Sequence, residues 1–190
     1  MLKVKVVFLD RDGVINKYPG NFKYVTAVRD FKLLPNVKNA LKRLTEAGYK
    51  LFIVSNQAGV SKRLYSHKTL DQMNAAMLKK LGNKVDFSGI YYCTHLKETD
   101  CGCRKPKTGM IDKAFNKLKK EGLSASLKKT YFIGDSVVDV QTGKNAKIKT
   151  ILVFSGREKP GNQKDWQVYP DFTAKNLSEA ADIVLNTDKK

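Results

Sequence analysis

The sequence predicts an α/β fold, a Rossmann-like open parallel sheet with helices on both faces. Three observations predict it. A chain of 190 residues suits one domain of ordinary size. Strand-like runs alternate with helix-like segments along its length. The strand-like runs are also almost continuously apolar, as strands covered on both faces are. The first run, residues 4–9, is short, β-branched and nearly all apolar. Over residues 36–47, Val37, Ala40, Leu41 and Leu44 recur at helical spacing, Gly48 supplies the stop, and residues 51–54 form the next strand. The pattern repeats with a helix over 66–81, a strand at 90–92, a helix over 108–120 and a strand at 130–133. A short helix at 137–145, a strand at 150–153 and a final helix at 178–185 complete the alternation, and only residues 156–171 read as an extended loop. Residues 1–190 are thus expected to form a single domain.

Composition excludes several classes. With 42% hydrophobic and 28% charged residues, the chain is neither a disordered low-complexity segment nor a fibrous repeat. No apolar run approaches the roughly 20 residues of a membrane span, and the opening residues 1–5 lack a signal peptide's apolar centre. A cytoplasmic location without a membrane partner is expected. The formal net charge of +18 invites a nucleic-acid reading, but 30 of the 36 cations are lysines and they are scattered rather than clustered. A field that draws in anionic small molecules is expected instead, on a monomer. Three cysteines, two of them in Cys101-Gly102-Cys103, do not make a secreted disulfide framework, so reduced thiols or metal thiolates are expected.

Open parallel sheets bind ligands beyond the carboxyl ends of their strands, and polar residues collect there. Asp10-Arg11-Asp12-Gly13 follows the first strand. Alternation would let both carboxylates share one side while Arg11 faces away, with Gly13 permitting a sharp turn. One carboxylate could attack a phosphorus atom while the other moves protons. A dianionic phosphate would repel that nucleophile, so a cation is needed, with Asp135 at the end of another strand placed to help hold it. Taken alone, Asp12-Gly13 also reads as a turn and Asp10 as a capping acid. Ser55-Asn56-Gln57 offers hydroxyl, amide and backbone donors for an anion, or an ordinary helix cap. Arg104 and Lys105 supply a planar fork and a point charge, or simply a basic loop. Asp139 reads as an outer partner of the metal site or a plain helix residue, and Ser136 as a cap. Cys93, His95, Cys101 and Cys103 make a Cys₃His set that would close a tetrahedral structural Zn²⁺ site within residues 93–103, the alternative being reduced surface thiols beside an incidental histidine. Trp166 is expected to anchor the late loop, and His67 to lie on the surface.

The strings Phe8-Leu9-Asp10-Arg11-Asp12-Gly13-Val14-Ile15-Asn16, Ser55-Asn56-Gln57, Cys101-Gly102-Cys103-Arg104-Lys105-Pro106 and Gly134-Asp135-Ser136-Val137-Val138-Asp139 occur in an order that resembles haloacid dehalogenase-like phosphatases. More narrowly, they resemble the branch of histidinol phosphatases and heptose-bisphosphate phosphatases. The resemblance implies Asp10 as nucleophile and Asp12 as general acid/base. It implies Mg²⁺ held by Asp10, Asp135 and the main-chain carbonyl of Asp12. Ser55 and Lys105 would steady the phosphoryl group, and Arg104 would contact the substrate. The substrate class implied is a small phosphorylated sugar, foremost D-glycero-D-manno-heptose 1,7-bisphosphate cleaved to the 1-phosphate. Histidinol phosphate is the rival, favoured by the short spacing of five residues between His95 and Cys101. A nucleic-acid 3′-phosphatase and a non-enzymatic nucleic-acid-binding module are the more distant readings. No large insertion follows Gly13 or the second strand, so no large cap domain is expected, only a roof of loops at 17–24, 93–103 and 156–171.

Overall fold

Side chains alternate across a strand, so a run that is apolar at every position must be covered twice. The computed structural model describes residues 1–187, and in it the second half of the first strand, β1 (Leu2–Leu9), is covered in this way. Val7 and Leu9 enter one core together with Leu51, Ile53, Tyr131, Ile133, Ile151 and Val153. Val6 and Phe8 enter a second core on the other face, with Phe52, Val54 and Phe132. The remaining strands are β2 (Tyr49–Asn56), β3 (Phe87–Cys93), β4 (Leu123–Gly134), β5 (Lys149–Val153) and β6 (Phe172–Ala174). All pair in parallel, in the order β3-β2-β1-β4-β5-β6.

Three helices cover the first core: α1 (Val37–Glu46), α2 (His67–Leu81) and α5 (Leu177–Thr187). In α1 the residues that bury are Val37, Ala40, Leu41 and Leu44, the helical stripe read from the sequence. The other face is covered by α3 (Gly109–Lys120), through Met110, Ile111, Ala114 and Leu118. Helix α4 (Val137–Asn145) sends Val140 into a small third cluster with Leu152 and Trp166. Among the described residues, no helix is long and apolar enough to cross a membrane.

The chain builds outward from β1 through β2 to β3, then returns to the other side of β1 for β4, β5 and β6. The direction of winding therefore reverses between β1 and β4, and a crevice opens there at the carboxyl ends. Asp10 N donates to Ile133 O at 3.0 Å, tying the exit of β1 to the exit of β4.

The fold class matches the sequence expectation; some elements do not. β6 has no counterpart among the expected strands, because three residues are too few to show a period. β4 begins at Leu123, well before the expected 130, because its first half carries Ser124, Ser126, Lys128 and Lys129 and stays partly exposed. The expected loop at 156–171 contains a 3-10 turn, Pro160–Asp165. Between Gly13 and α1 lie only loop and a 3-10 turn, Val28–Asp30, so no separate cap fold stands there.

Candidate active site

β1 stops at Leu9, and the next four residues cross the crevice. Gly13 takes φ +84°, and a Cβ on it would lie 2.1 Å from Asp135 Oδ2, so only glycine lets this turn pass so close to that acid. The carboxylates of Asp10, Asp135 and Asp139 converge, each offering an oxygen within 4.8 Å of the others. Asp10 leaves β1, Asp135 follows β4, and Asp139 sits in the first turn of α4. All three are buried.

Lys105 enters this group from the loop before α3, with its Nζ 2.5 Å from Asp139 Oδ1 and 3.0 Å from Asp10 Oδ1. The first contact is a hydrogen bond and the second an ion pair. Asp139 Oδ2 accepts from Ser136 N and Oγ at 3.1 and 2.6 Å. Both oxygens of Asp139 are thus occupied, which makes it the holder of Lys105 rather than a free ligand. Asn56 fixes the same lysine from behind: its Oδ1 accepts from Lys105 N at 3.1 Å and its Nδ2 donates to Lys105 O at 3.3 Å.

Burial pushes the Asp10 carboxyl up to about 6, with Asp139 and Asp12 adding to the rise, against Lys105 and the Ser55 hydroxyl. Burial and the neighbouring Asp10 and Asp139 hold Asp135 well above the carboxylate range, against the Arg157 N–H. Desolvation alone would lower Lys105, but Asp10 and Asp139 outweigh it and raise it. Three buried acids meet a single lysine, and the two whose acidity burial weakens most, Asp10 and Asp135, would regain their charge beside a cation. A divalent cation fits that donor set.

The Asp12 carboxylate is not one of the three that converge, and Arg11, expected to face away, bonds it instead. Arg11 Nη2 donates to its two oxygens at 3.1 and 3.0 Å. Asn16 Nδ2 donates to Oδ1 at 2.7 Å and Gln57 Nε2 to Oδ2 at 2.9 Å. The strand ends at Leu9, Arg11 lies in a bend and Asp12 in an isolated bridge to Asn16, so the strand's alternation does not carry on to Arg11. Arg11 is fully buried, with its guanidinium 5.9 Å from the Phe31 ring centre and 5.7 Å from that of Tyr92. Tyr65 Oη donates to Gln57 Oε1 at 2.7 Å, which turns the amide nitrogen toward Asp12 and Ser55. Asp139 takes the outer position that was one of its two sequence readings, bonded to Ser136 and Lys105. Tyr65 and the role of Arg11 have no counterpart in the sequence reading, because Tyr65 acts through Gln57 and the rings around Arg11 come from distant segments.

At the end of β3, Cys93, His95, Cys101 and Cys103 converge. The three thiols are free, with Sγ separations of 3.5 Å (Cys93 to Cys101) and 3.4 Å (Cys101 to Cys103). His95 Nδ1 lies 3.3 Å from Cys103 Sγ and 3.6 Å from Cys93 Sγ. Ligands at tetrahedral zinc distances stand roughly 3.5–3.8 Å apart, so this cluster can hold a structural Zn²⁺. Burial pushes Cys93 up to about 12, whereas hydrogen bonds from Cys103 and Cys93 take Cys101 down to about 6 against its desolvation. Arg104 Nη1 donates to His95 O at 3.1 Å, which ties the basic loop to the Cys₃His loop. Cys101→Ser is expected to lower bound zinc well below one per chain and to lower the melting temperature. Elemental analysis of the purified variant checks it, and unchanged zinc would remove Cys101 from the ligand set.

Comparison with known proteins gives a consistent picture. Residues 5–150 match the family model described as polynucleotide kinase 3 phosphatase. The chain is 32% identical to a D-glycero-D-manno-heptose-1,7-bisphosphate 7-phosphatase of Chlorobaculum tepidum, over 95% of this chain and 94% of that protein. It is 35% identical to a D-glycero-alpha-D-manno-heptose-1,7-bisphosphate 7-phosphatase of Campylobacter jejuni, over 85% of this chain and 88% of that one. Among solved structures, a D,D-heptose 1,7-bisphosphate phosphatase from B. bronchiseptica complexed with magnesium and phosphate superposes with TM-score 0.84 at 25% identity, covering 96% of this chain and 99% of that one.

Proposed function

The chain belongs to the polynucleotide kinase 3 phosphatase family of haloacid dehalogenase-like phosphatases, and from that premise we propose that it removes the 7-phosphate of D-glycero-D-manno-heptose 1,7-bisphosphate. It is a phosphoric monoester hydrolase. The observation that carries the reading is the convergence of Asp10 and Asp135 with Lys105 and its holder Asp139, in a chain that matches heptose-bisphosphate phosphatases along 95% of its length. Asp10, Asp135 and the main-chain carbonyl of Asp12 would hold Mg²⁺, which neutralises the charge of an approaching phosphate dianion.

In the reading we adopt, an Asp10 oxygen attacks phosphorus, the bond from phosphorus to the sugar oxygen breaks, and Asp12 gives that oxygen its proton. Water then attacks the aspartyl-phosphate, Asp12 takes the proton back, and Asp10 is released with inorganic phosphate. Arg11, Asn16 and Gln57 aim Asp12, whose side chain keeps 21% of its surface exposed and so faces the cleft. Ser55 and Lys105 steady the transferring group from the buried side.

A second phosphate would meet cations at the rim. Arg104 is half-buried there, and Arg157, Lys17 and Lys23 are exposed. Lys107, otherwise a candidate, is drawn to Asp100 at 2.5 Å. The same pairing occupies one of the acids that could have met the ammonium group of histidinol phosphate. Phosphate release should be compared on the heptose bisphosphate, histidinol phosphate and a 3′-phosphorylated oligonucleotide at equal ionic strength. The bisphosphate is expected to lead in kcat/KM by about tenfold or more, the worth of one added ion pair, and to lose only the phosphate distant from the anomeric carbon. A preference for either alternative overturns the substrate. A cytoplasmic monomer is the proposed setting, a reducing compartment suiting three unpaired thiols.

A further inference from the structure

We infer that Trp166 and Glu158 form a positioning pair that fixes which oxygen of Asp135 faces the cation site. This rests on the reading of Asp135 as a metal-holding acid. The segment leaving β5 crosses the end of the sheet directly over Asp135. Arg157 N donates to Asp135 Oδ2 at 2.7 Å, and Glu158 N donates to the main-chain oxygen of Asp135 at 3.0 Å. Ser155 Oγ donates to Gly13 O at 2.7 Å, which seats the same segment on the nucleophile's loop. The approach is so close that a Cβ on Gly156 would stand 2.0 Å from Asp135 Oδ2. Oδ2 is thereby committed to the protein, and Oδ1 is left to face the cation.

Two backbone donors on a loop hold such a geometry only if the loop itself cannot drift. The Glu158 side chain is buried at 9% exposure, and its Oε2 accepts from Trp166 Nε1 at 3.0 Å. Trp166 is held in turn by apolar packing: it clusters with Val140 and Leu152, stacks on Phe154 with ring centres 6.4 Å apart, and meets Tyr169 edge-on at 6.0 Å. A continuous path runs from that small core through the indole N–H and the Glu158 carboxylate to the backbone of 157–158, and so to the Asp135 carboxylate. An anchor needed only to close the loop would have no use for a buried carboxylate, since apolar packing alone could do it. The anchor's hydrogen bond falls on Glu158, whose own N–H holds the main-chain oxygen of Asp135 and whose neighbour's N–H, that of Arg157, holds Oδ2, so loop position is tied to carboxylate orientation.

The test is calorimetric titration of the full chain with Mg²⁺, alongside melting temperatures. Trp166→Phe keeps most of the packing but loses the N–H, and Glu158→Ala loses the acceptor. Each is expected to weaken Mg²⁺ binding by about tenfold, the usual scale for groups that orient a metal ligand. Glu158→Gln can still accept from the indole and is expected to stay within about twofold of the parent. The double variant should be no weaker than either single one, because both remove one connection. Trp166 is the sole tryptophan, so its emission offers a second reading and is expected to shift as Mg²⁺ binds. Unchanged Mg²⁺ affinity in Glu158→Ala, with only a lower melting temperature, overturns the inference, and so does additive loss in the double variant. Should Trp166→Phe fail to fold, Glu158→Ala against Glu158→Gln decides alone. Asp135→Asn separates the two levels: if it abolishes Mg²⁺ binding while Glu158→Ala does not weaken it, the positioning role fails and the metal reading stands. If Asp135→Asn binds Mg²⁺ as the parent does, the metal reading itself fails.

Discussion

Asp10→Asn is expected to lower turnover by at least about a thousandfold while leaving the protein folded, since an amide nitrogen or oxygen is no nucleophile toward phosphorus. The variant keeps the size and shape of the side chain, so the turn at Gly13 and the bond from residue 10 N to Ile133 O are undisturbed. Stability should not fall at neutral pH without metal. The folded state raises the Asp10 carboxyl from an ordinary 3.8 to about 6, so its ionised form is disfavoured by folding above that range, and a neutral amide relieves the penalty. Lys105 loses one partner but keeps Asp139. Phosphate release gives the activity, and mass spectrometry of quenched parent enzyme should show a phosphoryl adduct that the variant lacks. Activity within about tenfold of the parent would falsify the nucleophile assignment, because covalent catalysts lose far more.

The order of strands and helices was legible because buried parallel strands are apolar at every position and amphipathic helices are not. Val6-Val7-Phe8-Leu9 and the α1 stripe carry those two signatures plainly. The placing of acids at strand ends followed from the same topology, which is why Asp10 and Asp135 were found together. What sequence could not show is how polar groups pair once they are buried. Arg11 sits one residue from the nucleophile, yet the rings around it come from Phe31 and Tyr92, and the amide that shares its task is oriented by Tyr65. Asn56 looked like an anion donor and instead spends both ends of its amide on the Lys105 backbone. In each case composition gave the right residue type, and pairing across distant segments decided its task.

Pairing across segments also sets the second large effect, expected for Lys105→Met. Lys105 is buried, lies 5.5 Å from the centre of the Phe132 ring, and is the cation that meets Asp10 and Asp139. Methionine can fill the stem's volume, but it leaves two buried carboxylates without their partner, and breaking such a group costs ~3–5 kcal/mol. The sign with pH follows from Asp10. Lys105 is what lowers its carboxyl against burial, so without the lysine the folded-state value moves above about 6 while the unfolded value stays near 3.8. The folded variant then binds more protons than the unfolded chain from about pH 4 upward through that range, so its stability falls as pH rises across it. The deficit relative to the parent should accordingly be small at pH 5 and large at pH 8, and saturating Mg²⁺ should recover part of it by supplying the missing positive charge. Turnover should drop by about a hundredfold or more, since the charge that steadies the transferring phosphoryl group is gone. Urea unfolding at the two pH values, with and without Mg²⁺, reads the stability and phosphate release reads the rate. A variant as stable as the parent at pH 8 without metal would mean that Asp10 is already neutral in the fold, and that the lysine is not what holds the nucleophile ionised.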